Sequence, residues 1–482
     1  MFSPILAAAH SANALLGLAF VAVVSLVLLI ARFKCNAIVA LVIATLFVGI
    51  GSGMPLVTQA QHADVNHPGL TIPEKLGVAA AFEAGVGKTL GALAMVIGLG
   101  TMLGKMLAES GGAHVIASRI ASLFGREMLD YAIMVAAFVI GVSVFFQVGL
   151  ILMGPIVFAL ARETKTPILR LGLPLCAGLS TAHGLIPPHP GPLAAINILG
   201  ADVGKTIAWS LLVIGPPVAL ITGPFVARWV TPRVPVEFGG LGALAVQKPS
   251  AMRAPGFGIS LFTMLLPVLL MLAATLADVM WPEKGFPAGT AQGEVRRWAD
   301  FIGTPTVAML VAVLVSLWTF GRNCGLDGTS LFKFTEECLG PTASTILVIG
   351  AGGGFSKVLI ESGVGGALAS ALQSSHLSPI LLGWLIAGAM RVAIGSATVS
   401  VQTAAGIMLP IVKADPTINR ELLVLAMGAG SLILSHVNDG GFWLVKEYFG
   451  MTMQQTLKTW TVVETGIACT SIVIILIVNA FL

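Results

Sequence analysis

One segment of this chain occurs twice. Residues 98–121 read GLGTMLGKMLAESGGAHVIASRIA and residues 350–373 read GAGGGFSKVLIESGVGGALASALQ. At a constant offset of 252, nine of the 24 positions are identical, among them Lys105/Lys357, Glu109/Glu361, Ser110/Ser362 and Gly111/Gly363. Arg119 and Arg126 follow the first copy, whereas residues 358–390, after the second, hold no Lys or Arg. Lys and Arg collect on the cytoplasmic side of membrane segments. The two copies are therefore predicted to end on opposite faces of a membrane, Ser110 inside and Ser362 outside. Inverted repeats are a common architecture of secondary transporters, which bind substrate near mid-membrane where the repeats meet.

Composition supplies the membrane. A mean hydropathy of +0.95 with 56% hydrophobic and 10% charged residues does not fit a soluble globule, which carries about 25% charge. The net charge of +4 is small and its cations sit in short loops, which excludes a nucleic-acid partner. Cys35, Cys176, Cys324, Cys338 and Cys469 are scattered, with no CxxC or His/Cys cluster, so no metal site, disulfide framework or cofactor is expected. Arg32 and Lys34 follow the first apolar run instead of preceding it, so that run reads as a retained span with its N-terminus outside.

Runs of about 20 apolar residues, the length that crosses a bilayer, fall at 13–31, 36–53, 89–108, 207–228, 258–280, 302–320, 341–360 and 459–481. The polar loop 54–75 suits the outer face, as does the mixed-charge segment 281–300. An N-terminal membrane repeat (1–235), a basic cytoplasmic linker (236–256) and an inverted C-terminal repeat (257–482) follow from this pattern. Residues 131–161 are too long for one span, yet Arg162, Lys165 and Arg170 follow them, as positive as the loop before. A re-entrant hairpin satisfies both facts, with its tip near Phe145–Gly149. The stretch 380–412 should form the matching hairpin, with its tip at Gly395–Thr398. By the same logic Lys413 and Arg420 would lie outside, against the charge rule, though accompanied by Asp415 and Glu421. The fold class is thus an all-α polytopic membrane protein of about ten spans, with two inverted-topology repeats, broken helices and two re-entrant hairpins.

Four prolines fall within His183-Gly-Leu-Ile-Pro-Pro-His189-Pro-Gly-Pro192. Each removes a backbone donor and clashes with the preceding turn, so a helix must break here inside the membrane. At an offset of 250 the second half carries Ser435-His436-Val437-Asn438-Asp439-Gly440-Gly441. Ionisable residues at membrane depth mark ion or substrate pathways. Backbone groups freed at such breaks, and the helix N-termini after them, can hold an anion. The candidate substrate-binding residues are Gln147, His183, His189, Ser396, Thr398, His436 and Asn438. Asp439, His189 and His436 are candidates for proton coupling. With Lys and Arg nearly absent from the breaks, Arg391 being the closest, neutral donors and backbone amides are expected to hold a carboxylate. The repeated Glu-Ser-Gly elements read as helix caps, with Lys105–Glu109 and Lys357–Glu361 as i,i+4 pairs. Gly87-Lys88-Thr89 and Gly204-Lys205-Thr206 mimic the end of a P-loop, but Phe82 and Leu199 stand where its first Gly is required.

Together, FFQVGLILMGPIVF (145–158), HGLIPPHPGPLAA (183–195), GADVGKT (200–206), RVAIGSATVSVQTAAGI (391–407) and GAGSLILSHVNDGGFWLVKEYF (428–449) resemble the gluconate permease family, gluconate:proton symporters of the ion transporter superfamily. The resemblance spans nearly the whole chain. It implies proton-coupled import of gluconate or a related sugar or hydroxy acid, in some members D-serine, across a bacterial inner membrane. It also implies a homodimer in which a transport domain moves in an elevator fashion against a scaffold, and no enzymatic activity. The family leads one to expect an acid where this chain has Gln147, so coupling would pass to Asp439 or a histidine. The alternatives are Na⁺ coupling through oxygens of Ser396, Thr398 and Asn438, and a membrane-embedded hydrolase built on the His/Asp cluster. No nucleophile–base motif accompanies that cluster.

Overall fold

A computed structural model describes residues 12–31, 33, 35–59, 62–63, 71–72, 75–237, 239, 253–281, 289–364, 367, 377–436 and 439–482. Apart from a two-residue antiparallel pairing of His62–Ala63 with Thr71–Ile72, the regular elements among these residues are helices. The first half comprises α1 (Ala12–Ala31), α2 (Ala37–Gly51), α3 (Val78–Glu109), α4 (Gly112–Phe124), α5 (Leu129–Gly141), α6 (Phe146–Thr164), α7 (Ile168–Leu185), α8 (Pro190–Leu199) and α9 (Val203–Arg233). The second comprises α10 (Phe257–Met280), α11 (Ala291–Gly303), α12 (Pro305–Ser316), α13 (Gly328–Glu337), α14 (Leu339–Glu361), α15 (Pro379–Ile394), α16 (Ala397–Ala414), α17 (Arg420–Gly430), α18 (Gly440–Phe449) and α19 (Met453–Ala480). Among the described residues, seven helices are long and apolar enough to cross a membrane singly. Two of the seven, α6 and α16, are hairpin arms, so the expected number of about ten counts neither of these and includes crossings made by two shorter helices in series.

The duplication is visible in detail. α3 and α14 end on the same cap: Ser110 and Ser362 each donate a hydroxyl to the carbonyl three residues back, at 3.1 Å, and Gly111 and Gly363 follow with φ of 75° and 77°. That left-handed turn suits only glycine well. Lys105–Glu109 and Lys357–Glu361 form the expected pairs at 2.9 and 2.6 Å. The inversion is visible where the copies touch. A side chain at Gly85 would strike Gly353 and Gly354, Leu90 lies on Gly350, and Leu339 lies on Gly98. Position numbers rise along α3 as they fall along α14, so the two copies cross antiparallel, main chain nearly against main chain.

The α5–α6 hairpin is re-entrant. α5 ends at Gly141, the chain turns, and α6 starts at Phe146. Its two feet meet at one face: Asp130, at the start of α5, is bonded by Arg228 at 2.7 and 3.2 Å and lies 3.7 Å from Arg170, just after α6. From that face α7 and α8 run in series to Gly200, where Arg420 approaches the Leu199 and Gly200 carbonyls at 3.4 and 3.3 Å. Arg420 stands at the foot of the second hairpin, α15–α16, so the two hairpins open toward opposite faces. Beside it Glu421 accepts from the Asp202 amide at 2.9 Å. Asp415, accepting from the Thr417 amide and hydroxyl, is held below the usual carboxylate range. Acidic neighbours thus offset the cations that the charge rule placed on the wrong side.

The halves interleave. Tyr448 and Phe449, at the end of α18, pack on Gly154 and Phe158 of α6, with the Phe158 and Phe449 rings stacked 5.7 Å apart. In the mirrored contact, Thr398 and Val401 of α16 lie on Gly191 of α8. Each hairpin therefore packs on the half-helix of the other repeat.

Two expectations are corrected. α3 starts at Val78 and not near residue 89. Glu83, Gly85, Gly87 and Lys88 dilute the apolar signal, but Gly85 is what lets α14 approach. At 1.5 Å per residue α3 is about 48 Å long, so its first turns reach beyond a hydrocarbon core of about 30 Å. The segment 281–300, read as an outer linker, contains most of an amphipathic helix, α11. Thr290 caps it by accepting from the Gly293 amide, Arg296 binds Asp278, and Val295, Trp298 and Phe301 are exposed. Such a face suits the membrane surface.

Candidate functional site

Both hairpin tips and both helix breaks converge on a cavity of about 770 Å³, within the range typical of small-molecule sites. Its wall includes Phe145–Val148 from the first tip, Gly395–Val399 from the second, Pro190 from the first break and Asp439–Gly441 from the second. α6, α8, α16 and α18 all begin at these places, so four helix N-termini face one space. Their free amides and dipoles favour a negative charge there. Ser396 caps α16 and Asp439 caps α18, whereas α6 has no side-chain cap. Its first-turn amides, with Gln147 among them, border the cavity.

The two repeats lock hairpin to broken helix at equivalent positions with different chemistry. In the first, His189 Nε2 donates to the carbonyl of Gly141, the last residue of α5, at 2.5 Å. That bond leaves Nδ1 of a neutral ring as acceptor, and His183 Nδ1, 3.3 Å away, supplies the proton. At an offset of 250, Gly141 becomes Arg391 and His189 becomes Asp439. Here Arg391 Nη2 donates to Asp439 Oδ2, while Nη1 bonds the Gly395 carbonyl at 2.8 Å. Asp439 also accepts the Ser435 hydroxyl and the Gly441 amide. Trp460 Nε1 holds Ser435 in turn, at 2.7 Å. Arg391 is only 4% exposed, and its Nε has no partner.

Of the residues singled out by sequence, Gln147, His183, Ser396, Thr398 and Asp439 line the cavity. His189 is buried directly behind it, against His183 and Phe145. His436 is not among the lining residues; its Nε2 lies 3.1 Å from the Val392 carbonyl, on the far side of the break. Asn438 lies outside the described residues. Arg391, expected as the cation closest to the breaks, borders the cavity together with Lys105, so the site is less dependent on neutral donors and backbone amides than expected. Sequence reasoning also missed Ser180, Trp460 and Glu464. The signals existed. Arg391 is the sole Lys or Arg between Lys357 and Lys413, and Glu464 the sole acid of α19. A lone charge at membrane depth is costly enough to demand a reason.

A helical membrane bundle with re-entrant hairpins and broken helices closing on a central cavity that holds a few polar groups is a transporter fold. The described helices superpose on the YdaH transporter of Alcanivorax borkumensis with a TM-score of 0.58 at 17% identity, over 95% of this chain and 98% of that one. The GntP family permease profile matches residues 14–481. A gluconate permease of Pseudomonas aeruginosa is 45% identical over 98% of this chain and 99% of its own length. Another, from Zymomonas mobilis, is 43% identical over 94% and 95%. The chain belongs to the GntP permease family.

Proposed function

We propose that this transporter imports gluconate or a closely related sugar acid with a proton, across the inner membrane of a bacterium, by an elevator motion. The observation that carries the reading is the buried Arg391 facing a cavity into which four helix N-termini point. A sugar acid presents one carboxylate and several hydroxyls. The carboxylate is drawn to the positive charge of Arg391 and to the uncapped amides of α6. The hydroxyls find Gln147, His183, Ser396 and Thr398. The relatives named above support the substrate class, and D-serine, with a carboxylate and one hydroxyl, is the competitor to weigh against it.

The elevator reading is supported by the composition of the cavity wall. One side is the interlocked block of hairpins and half-helices. The other is α3, which presents Gly100 and Gly104 with open space over Gly104. Small residues at Gly100, Gly104 and Ala108, between Ile97, Thr101 and Lys105, leave that face shallow for a sliding neighbour.

Purified protein in liposomes, given labelled gluconate under an inward pH gradient, should accumulate it, and unlabelled gluconate should compete better than D-serine. Uptake that follows a Na⁺ gradient and ignores pH would overturn proton symport. An absence of gluconate counterflow would overturn the substrate class.

A further inference from the structure

We infer that Glu464, on the wall of the same cavity as the Arg391–Asp439 pair, is the group that takes up the coupling proton; the inference rests on the proton-symport reading above. Glu464 is 1% exposed and borders the cavity. Ser180 of α7 donates its hydroxyl to Oε1, and no ion pair among the described residues includes Glu464. A carboxylate without a cation is expensive at membrane depth, whereas a carboxylic acid is far less so. The sequence-derived candidates are engaged otherwise. Asp439 is fixed by a guanidinium, a hydroxyl and an amide; His189 bonds a backbone carbonyl through one nitrogen and faces His183 through the other; His436 lies off the cavity.

The ionisable groups on elements packed against α19 are few. α7 brings Cys176 and His183, with Arg170 at its start beside Asp130, α15 brings Arg391, and α18 brings Asp439 at its start and Lys446, Glu447 and Tyr448 toward its end. α17 carries Arg420 and Glu421 only at its far end, and α9 carries Lys205, Arg228 and Arg233, with Arg228 bound to Asp130 at the hairpin's foot. Arg391 and Asp439 neutralise each other. Lys105 and Glu337, which also border the cavity, carry opposite charges, so an ionised Glu464 leaves it with one surplus negative charge, and substrate would add a second. A proton from the outer solution adds to a Glu464 carboxylate oxygen as the substrate carboxylate reaches Arg391. The proton leaves to the inner solution with the substrate, and the restored carboxylate again accepts the Ser180 hydroxyl. Ser180 can serve both forms because a hydroxyl both donates and accepts.

Glu464→Gln should retain counterflow exchange of labelled gluconate in liposomes but lose accumulation under a pH gradient. Lumenal pyranine should report acidification on gluconate addition in the parent protein and none in the variant. Acidification that persists in Glu464→Gln overturns the inference. If Glu464→Gln does not fold or exchange, Ser180→Ala decides: it should displace the pH of half-maximal exchange, and an unchanged pH profile overturns the inference. A parent protein that exchanges gluconate without acidifying the lumen would instead overturn proton symport itself.

Discussion

At the scale of single residues, the site turns on a latch used twice. Gly141–His189 and Arg391–Asp439 occupy equivalent positions, yet only the second carries charge. Removing one partner of a buried ion pair strands the other, at a cost of about 3–5 kcal/mol. Asp439→Asn should therefore lower thermal stability sharply in detergent, while the fraction that folds still concentrates substrate when driven by pH. Arg391→Gln should weaken gluconate binding by about 10–100-fold, the worth of a charge-assisted hydrogen bond, read by calorimetry. Binding within twofold of the parent would remove Arg391 from the site. His183 and Asp439 were legible because proline and glycine advertise a break, and Gln147, Ser396 and Thr398 because over-long apolar stretches between like-charged flanks call for a hairpin tip. Arg391 was visible only as the cation closest to the breaks, and Glu464 not at all, since each sits inside an otherwise apolar helix where a reading by segments averages it away. His436 shares the second break's sequence motif but does not line the cavity, its ring lying instead against the Val392 carbonyl.

At the scale of elements, charge bookkeeping around over-long apolar stretches identified both hairpins, and proline density identified the first broken helix. What remained hidden depends on partners far away in sequence. The start of α3 is set by its contact with α14, and α11 by Arg296 reaching back to Asp278. The foot of the first hairpin is of the same kind: Asp130 is buried against Arg228 and Arg170, with Arg228 also over the Tyr131 ring at 4.7 Å. Both arginines are well exposed, so screening weakens the cluster. Asp130→Asn should cost about 1–3 kcal/mol, the range for hydrogen bonds to charged groups. It should appear as a lower melting temperature that added salt narrows. Equal melting of parent and variant would show that the hairpin is anchored by packing alone.

At the scale of the whole molecule, inversion predicts opposite sidedness for the two hairpin feet. Ser110 and Ser362, which mark the repeat in sequence, are buried by their caps and poorly suited to labelling. Ser122 and Lys413 are exposed. Single cysteines there, in a background lacking the five native ones, should react with an impermeant maleimide from opposite sides, Ser122→Cys from the cytoplasm. Reaction of both from one side would end the inverted-repeat reading. The interleaving of the halves has a further consequence, for the order of synthesis. α8, at Gly191, packs against a hairpin that reaches it at Thr398 and Val401, and α6, at Gly154 and Phe158, against a half-helix that reaches it at Tyr448 and Phe449, both far downstream. At about 5–20 residues per second, the early pieces wait roughly 10–60 s for their partners. Throughout that interval the proline-broken helix and its hairpin stand in the bilayer half-assembled, and neither half of the polypeptide owns a complete cavity until the ribosome has nearly finished.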